Sequence, residues 1–392
     1  MSTGWRRVAN TAEVGRWNAV MVLERLYRLK PMTNAELVRE TGLSRSTVER
    51  TLDLLVERGV VSKSDPAALI SGRPAAFYRL RPEFGFLLAI DVGAHTVRVR
   101  VDDLAGPRSG QAQADAADNE PEPVEVSSEE TADVRLGAVE DLVNQALASA
   151  GATRDQVCAV TVATPGIVDS EGMIKVCRVI RSGDWVGDRL RVWASERFPH
   201  AAVAVDNDAN LAALGEQRFG AAGDAEDVVA VSAGRRIGFG ILLGGTLHRG
   251  THHQAGEAAN IRDSSWERAS TWLHEHEDAG RLFASAGAGD SRAVAVVGEF
   301  AHLLGTAFAE VVHTIDPELI VLGGAISLSG PTILDLVAEP FKRACRDTEA
   351  PDLLLSTLGR RATLLGAAEH ARRHAFDHLL HDARQPAPRS RP

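Results

Sequence analysis

The chain of 392 residues contains only three cysteines, Cys158, Cys177 and Cys345. They stand far apart and show no CxxC or CxC spacing, which argues against a disulfide framework and against a cysteine-built zinc site. Three buried thiols are expected. Apolar runs of the roughly 20 residues needed to cross a bilayer are also lacking. The first residues, MSTGWRRVANTAEVGRW, carry basic side chains with no apolar stretch behind them, unlike a secretory signal. These absences predict a cytoplasmic protein with no membrane partner. Positive charge is scarce overall: the formal net charge is −10 at pH 7, which disfavours indiscriminate nucleic-acid binding. What is present is a hydrophobic fraction of 44%, enough for two or three domains with their own cores. The charge is unevenly spread. Residues 1–82 hold 14 basic and 8 acidic side chains, whereas the remainder holds 29 and 45. A basic head on an acidic body suits a DNA reader joined to a small-molecule sensor.

The head, residues 1–82, reads as helices and then a hairpin. Asn18 to Leu29 aligns Val22, Leu23, Leu26 and Leu29 in one stripe. Thr33 with Glu36 forms a capping-box pattern for a second helix that turns Leu37 and Val38 inward, and Gly42 stops it. Ser44 caps a third helix, RSTVERTLDLLVERG, with Val48, Leu52 and Leu55 on its buried side. Arg45, Ser46, Glu49 and Arg50 share the opposite side. Two short helices joined at TGLS match the helix-turn-helix plan, in which the start of the second helix enters the major groove. The expected DNA-contacting residues on it are Arg45, Ser46, Thr47 and Arg50. Arginine can bond a guanine edge bidentately. Val60-Val61 and Phe77 to Leu80 read as two strands of a wing. Its tip, Ser71-Gly72-Arg73-Pro74, offers Arg73 to a narrow A·T-rich minor groove.

The body, residues 83–380, repeats a pattern. Phe86 to Val101 and Val228 to Leu243 each read as strand, glycine turn and strand, and Leu319 to Ile326 adds a buried strand ending in Gly323-Gly324. Amphipathic helices are expected at Val134–Ala150, Asp208–Gly220 and Ala293–Ile315. Gln111 to Thr131 is rich in Asp, Glu, Ala and Pro and reads as a polar edge strand or loop. The last residues, from 381, read as a disordered tail. The four histidines His252, His253, His274 and His276 read as solvated surface rather than a metal site.

Four segments carry a resemblance to the ROK family (repressors, open reading frames and sugar kinases): AIDVG, TPGIVDSEG with SGDWVG, VDNDANLAALGE, and AGEAAN with WERAS. The resemblance covers essentially the whole chain, since many ROK regulators carry a winged helix-turn-helix with GRP in its wing. It implies an α/β fold: an actin-like ATPase domain, a duplicated ribonuclease H-like unit, behind the winged head. The lobes would span roughly 83–205 and 206–360, with the last helix packing back on the first. It implies a sugar site with Asn207, Asp208, Glu257, Asn260, Glu267 and Gly166, in which Asp208 matches the base of the family's kinases.

Two departures shape the functional expectation. The phosphate loops of the family survive as Asp91, Gly93, Gly234, Gly238, Gly323 and Gly324. However, Gly234-Arg235-Arg236-Ile237-Gly238 replaces a Gly-Thr-Gly core, and two bulky side chains there oppose close approach of phosphate to backbone. Gly93-Ala94-His95-Thr96 replaces Gly-Gly-Thr. The family's structural zinc needs one histidine and a CxCGxxGC segment. Here Asn260 stands at the histidine, and IRDSS leads straight to Trp266-Glu267. No cofactor is therefore expected, neither zinc nor bound ATP. The resemblance implies a homodimeric or tetrameric regulator, a repressor of carbohydrate genes, binding an operator in double-stranded DNA and a sugar or sugar phosphate. The alternatives are a sugar kinase with an appended head and a DNA-binding protein whose sensor is vestigial.

Overall fold

The computed structural model describes residues 11–29, 31–64, 76–104, 120–234, 236–276, 278–346 and 348–381. Arg73, Arg235, part of the expected polar loop and all of the expected tail beyond His381 lie outside the described residues.

Three helices and three short strands form the head. Helix α1 (Thr11–Leu29) leads to β1 (Met32–Thr33), α2 (Asn34–Thr41) and α3 (Arg45–Glu57). Strands β2 (Val61–Lys63) and β3 (Phe77–Leu80) then pair antiparallel, and β1 joins the far side of β3. Local chemistry sets these ends. Thr33 accepts from the Glu36 amide at 3.3 Å, and Glu36 accepts from the Thr33 amide at 2.7 Å, completing the capping box. Gly42 ends α2 at φ 69°, the left-handed conformation that favours glycine. Ser44 accepts from the Thr47 amide at 3.2 Å and starts α3. Val22, Leu23, Leu37, Val48, Leu52 and Leu55 are fully buried. Helix α1 begins seven residues before the stripe that signalled it. Its added turns carry Val14 and Trp17, which remain exposed, so no burial pattern marked them.

The body contains two five-stranded sheets built to one plan. In the first, β4 (Phe86–Val92) and β5 (Thr96–Asp103) form an antiparallel hairpin, with β7 (Val157–Thr164) and β10 (Ala202–Asn207) added parallel to β4. The short edge strand β6 (Val124–Glu125) flanks β5. In the second, β11 (Val228–Ala233) and β12 (Ile237–Leu243) form the hairpin, with β14 (Leu319–Gly324) and β15 (Asp352–Leu355) parallel to β11. Strand β13 (Thr246–Leu247) flanks β12. The orders β10-β7-β4-β5-β6 and β15-β14-β11-β12-β13 therefore correspond strand for strand. The duplicated, actin-like architecture is thus present in the topology. A two-stranded ribbon, β8 (Ile167–Val168) with β9 (Ile174–Val176), projects from the first sheet.

Helices α4 (Ala132–Ser149) and α5 (Arg189–Arg197) cover the first sheet. Helices α7 (Ser265–Glu275), α8 (Ala279–Gly287), α9 (Ser291–Ile315) and α10 (Pro331–Cys345) bury the other face of the second. Helix α9 is long and apolar enough to cross a membrane, contrary to the reading that no such run exists, but half of its apolar window is buried in this core. Between the sheets lie α6 (Asp208–Phe219), against β11 and β12, and α11 (Ala362–His381), against β4 and β7. They cross closely. A Cβ on Gly215 would meet the Ala362 carbonyl oxygen at 2.2 Å, and one on Gly366 would meet that of Leu211 at 1.7 Å.

Head and body share one core. Leu23, Leu26, Leu52 and Val61 cluster with Leu87, Ala159, Ala371, Ala375 and Phe376. A buried ionic joint reinforces it. Arg372 of α11 bonds Glu369 through two nitrogens at 2.8 and 2.6 Å, reaches Glu24 of α1 at 2.8 Å and lies 4.1 Å from the Tyr27 ring centre. Arg218 of α6 stacks on the same ring at 4.9 Å. Arg58, which caps the end of α3, donates to the Leu379 carbonyl of α11.

Candidate functional site

Two cavities of about 680 and 500 Å³ open between the sheets. They share Asp208, His95, Gly234 and Thr363 as a common wall. Asp208 is the first residue of α6. Its Oδ1 accepts from the Ala209 amide at 2.9 Å, and burial pushes its carboxyl up to about 6, with the nearby Glu257 adding to the effect. Asn207 caps the same helix: its Oδ1 accepts from the amides of Ala209 and Asn210 at 2.9 and 3.1 Å. Its Nδ2 donates to the Gly166 carbonyl at 2.8 Å, which leaves one amide hydrogen for a ligand. Cap and site are therefore the same residues. Gly166, at φ 109°, must be glycine, because a Cβ there would meet the Val176 carbonyl at 2.2 Å.

Asn207, Asp208, Gly166, Glu257 and Asn260 all line the smaller cavity. Burial raises the Glu257 carboxyl, which accepts from Asn260 Nδ2 at 2.6 Å. Glu267 is not among the lining residues. Its carboxylate accepts from the Asp263 amide at 2.5 Å and its own amide bonds Ser264, so it serves the start of α7. Among the lining residues, Arg178 and Arg181 carried no sequence signal, while His95 and Arg236 were read only as departures in the phosphate loops and His274 as solvated surface. Beneath the cavity, Asp206 is buried and held below the usual carboxylate range. Burial alone would raise it, but Arg249, bonded through Nε at 3.0 Å, outweighs that effect. A buried carboxylate beside Asn207 demanded a cation, yet nothing in the sequence pointed to Arg249, 43 residues away.

Of the expected phosphate-loop residues, Asp91, Gly93, Gly234, Gly323 and Gly324 line the larger cavity, whereas Gly238 lines the smaller. Asp91 is pushed up to about 7 by burial. Arg98 lies 3.7 Å from its carboxylate and donates to the Arg360 carbonyl at 2.6 Å. That guanidinium competes for the oxygen a nucleotide-bound divalent cation would need. The residues present do not fit the family's zinc. Asn260 offers a carboxamide already bonded to Glu257, and residues 261–264 supply no thiol before α7. Among the described residues no group of three or more His, Cys, Asp or Glu side chains converges. His276 stacks on Trp272 with ring centres 3.9 Å apart.

On the head, Arg45, Ser46 and Arg50 are exposed along one side of α3, and Thr47 is half-buried. Arg45 pairs with Glu49 at 3.1 Å. Ser46 and Thr47 hydroxyls both reach the Ser44 hydroxyl, at 3.1 and 2.8 Å. Arg45 and Arg50 are thus exposed cations on this side of α3, while the two hydroxyls also steady the cap.

Comparison with known proteins places this geometry. The ROK family model matches residues 87–264 and 263–374, and the IclR helix-turn-helix domain model matches residues 18–65. The xylose repressor of Bacillus spizizenii is 23% identical over 393 residues, covering 94% of this chain and 98% of that protein. A ROK family transcriptional regulator, a homologue of the E. coli MLC protein, superposes with a TM-score of 0.69 at 21% identity, covering 94% and 98% of the two chains. A ROK family glucokinase from Streptomyces griseus, in complex with glucose and AMPPNP, gives 0.58 at 24% identity over 74% of this chain and 99% of that one. The structural likenesses establish the fold, the kinase matching the body and the regulator matching head and body together. With the family model spanning most of the chain and the duplicated sheets on which it rests, the chain belongs to the ROK family.

Proposed function

We infer that the protein is a sequence-specific DNA-binding repressor that answers to a sugar and does not phosphorylate it. The observation that carries this reading is the union, around one shared core, of an exposed helix-turn-helix with a polar cavity between two lobes. The relatives that align over head and body alike bear repressor and regulator names, which supports it. The division into a head at 1–82 and a sensor at 83–380 follows, with lobes near 83–205 and 206–360.

Two copies of the chain present their heads to a two-fold operator. Arg45, Ser46, Thr47 and Arg50 face the major groove, and Arg73 of the wing tip enters the minor groove. Sugar hydroxyls bond Asn207, Asp208 and Glu257 between the lobes. The signal then has a physical carrier. Thr363, near the start of α11, lines the cavity and donates to the Asp208 carbonyl at 3.3 Å. Further along the same 20-residue helix, about 30 Å long, Arg372 near its middle holds α1 and Leu379 near its end holds the end of α3. Closing the lobes moves α11 against α6 and re-aims the heads, so that sugar and DNA affinities are linked by one coupling energy.

One observation favours a second reading, a sugar kinase. Asp208 is a half-buried carboxylate common to both cavities, where a base between sugar and nucleotide would stand. The Asp91–Arg98 pair speaks against it. Incubating the protein with Mg-ATP and a panel of hexoses and pentoses separates the two. No sugar phosphate is expected, and turnover with any of these sugars would establish the kinase.

A further inference from the structure

The smaller cavity holds more positive charge than recognition of a neutral sugar requires. Its polar floor is Asp208, Glu257, Asn207 and Asn260, a set suited to hydroxyl groups. Its wall adds Arg178, Arg181 and Arg236. Arg181 already pairs with Glu129 at 3.2 Å. The side chains of Arg178 and Arg236, both exposed, have no hydrogen-bond or ion-pair partner among the described residues, although the Arg236 carbonyl accepts from the Gly234 amide at 3.1 Å. They come from opposite lobes. Arg178 follows β9, on the first lobe, and Arg236 sits in the turn between β11 and β12, on the second.

We propose that the effector is an anionic sugar, a sugar phosphate or a sugar acid, whose charged group is held between Arg178 and Arg236. This rests on the sugar-sensing reading of the same site. A guanidinium presents parallel N–H donors that match phosphate and carboxylate oxygens, and two of them on facing lobes repel one another when the cavity is empty. An anion between them removes that repulsion and adds attraction to both sides, so binding and lobe closure become one event. The acidic floor disfavours bare anions, so the sugar ring and the charge are both needed. Glu257 lies near enough to Arg178 for the two charges to interact, which gives the guanidinium a weak resting position that an anion would displace.

Isothermal titration of the full chain with matched probes tests this: glucose, glucose 6-phosphate and glucuronate; xylose, xylose 5-phosphate and xylonate; and inorganic phosphate alone. One charged sugar is expected to bind at least about tenfold tighter than its neutral parent. The phosphate and acid arms decide which anion is preferred. The double variant Arg178→Ala, Arg236→Ala, altered only at exposed positions, should lose the preference and keep an unchanged circular dichroism spectrum. Equal or tighter binding of the neutral sugars, no binding by any charged sugar, equally tight inorganic phosphate, or a preference that survives the double variant would each overturn the proposal. Operator binding is followed in parallel. DNA release by a neutral sugar rejects the anion subsite and leaves the repressor standing, whereas absence of specific DNA binding rejects the repressor itself.

Discussion

Asp208 is asked to be a hydroxyl acceptor inside a site that resists its charge. Burial raises its carboxyl to about 6 from the ordinary 3.8, so the unfolded chain gives up this proton before the folded one does. Folding stability is therefore lost as pH rises from about 4 through 6, and the cost stays constant above that. Asp208→Asn, which removes the charge but keeps the shape, should raise the melting temperature at pH 8 and leave it nearly unchanged at pH 3.5, with an intermediate shift at pH 5. An equal shift at all three values would contradict the account of Asp208. In the other direction, ligand binding that uses the carboxylate should weaken as pH falls through 6 and lose that dependence in the same variant. At this scale the sequence showed residue types but not their allegiance. Asn207 and Asp208 could be read as a helix cap or as ligand contacts, and in the structure they cap the helix while lining the cavity. Glu267 looked identical in kind to Glu257, yet a hydrogen bond to the Asp263 amide ties it to its own helix. Arg178 and Arg236 were invisible as a pair because their meeting depends on two loops from different sheets.

At the scale of elements, α11 has different partners along its length, the cavity at Thr363 near its start and the head at Arg372 in its middle and Leu379 near its end. Arg372 and Glu369 are both buried. Burial alone would raise the Glu369 carboxyl, but Arg372 and Arg373 outweigh it and hold it at about 2. A carboxyl depressed in this way stabilises the fold above its unfolded value of 4.5, and the contribution is lost as pH falls from there towards 2. Glu369→Gln should thus flatten acid unfolding in that window. Removing Arg372 leaves a buried carboxylate with Arg373 and, at 4.0 Å, Arg218 beside it, and Arg372→Ala should cost about 3–5 kcal/mol in urea unfolding. A loss below about 1 kcal/mol would show the joint to be ornamental. Gly366→Ala tests the helix crossing: the added methyl meets the Leu211 carbonyl, and about 1–3 kcal/mol of destabilisation is expected from chemical denaturation, together with a changed sugar response. These helices were largely legible. The reading Asp208–Gly220 became Asp208–Phe219, and Ala293–Ile315 became Ser291–Ile315, because a capping residue marks each start. Their crossing partners were not legible, since a helical glycine looks the same whether it faces solvent or another backbone.

At the scale of the molecule, the two sheets repeat one strand order and enclose the cavities between them, while the head is fused to the first lobe by a shared core. The repeat was visible as two strand–turn–strand segments, because buried strands carry unbroken apolar runs. The fusion of head to body was not, since its apolar residues come from α1, α3, β4 and α11, which are hundreds of residues apart at the extremes. The basic head and acidic body divide the electrostatics accordingly, and affinity for DNA should fall with added salt. A fluorescence-anisotropy titration of a labelled duplex from upstream of the protein's own gene tests the central claim. It would compare the native chain with Asp208→Ala, each with and without the sugar that binds the native cavity. The account predicts binding that exceeds that of scrambled DNA in both chains, and that the sugar alters it in the native chain alone. No preference for the upstream duplex, or an undiminished sugar response in Asp208→Ala, would contradict it.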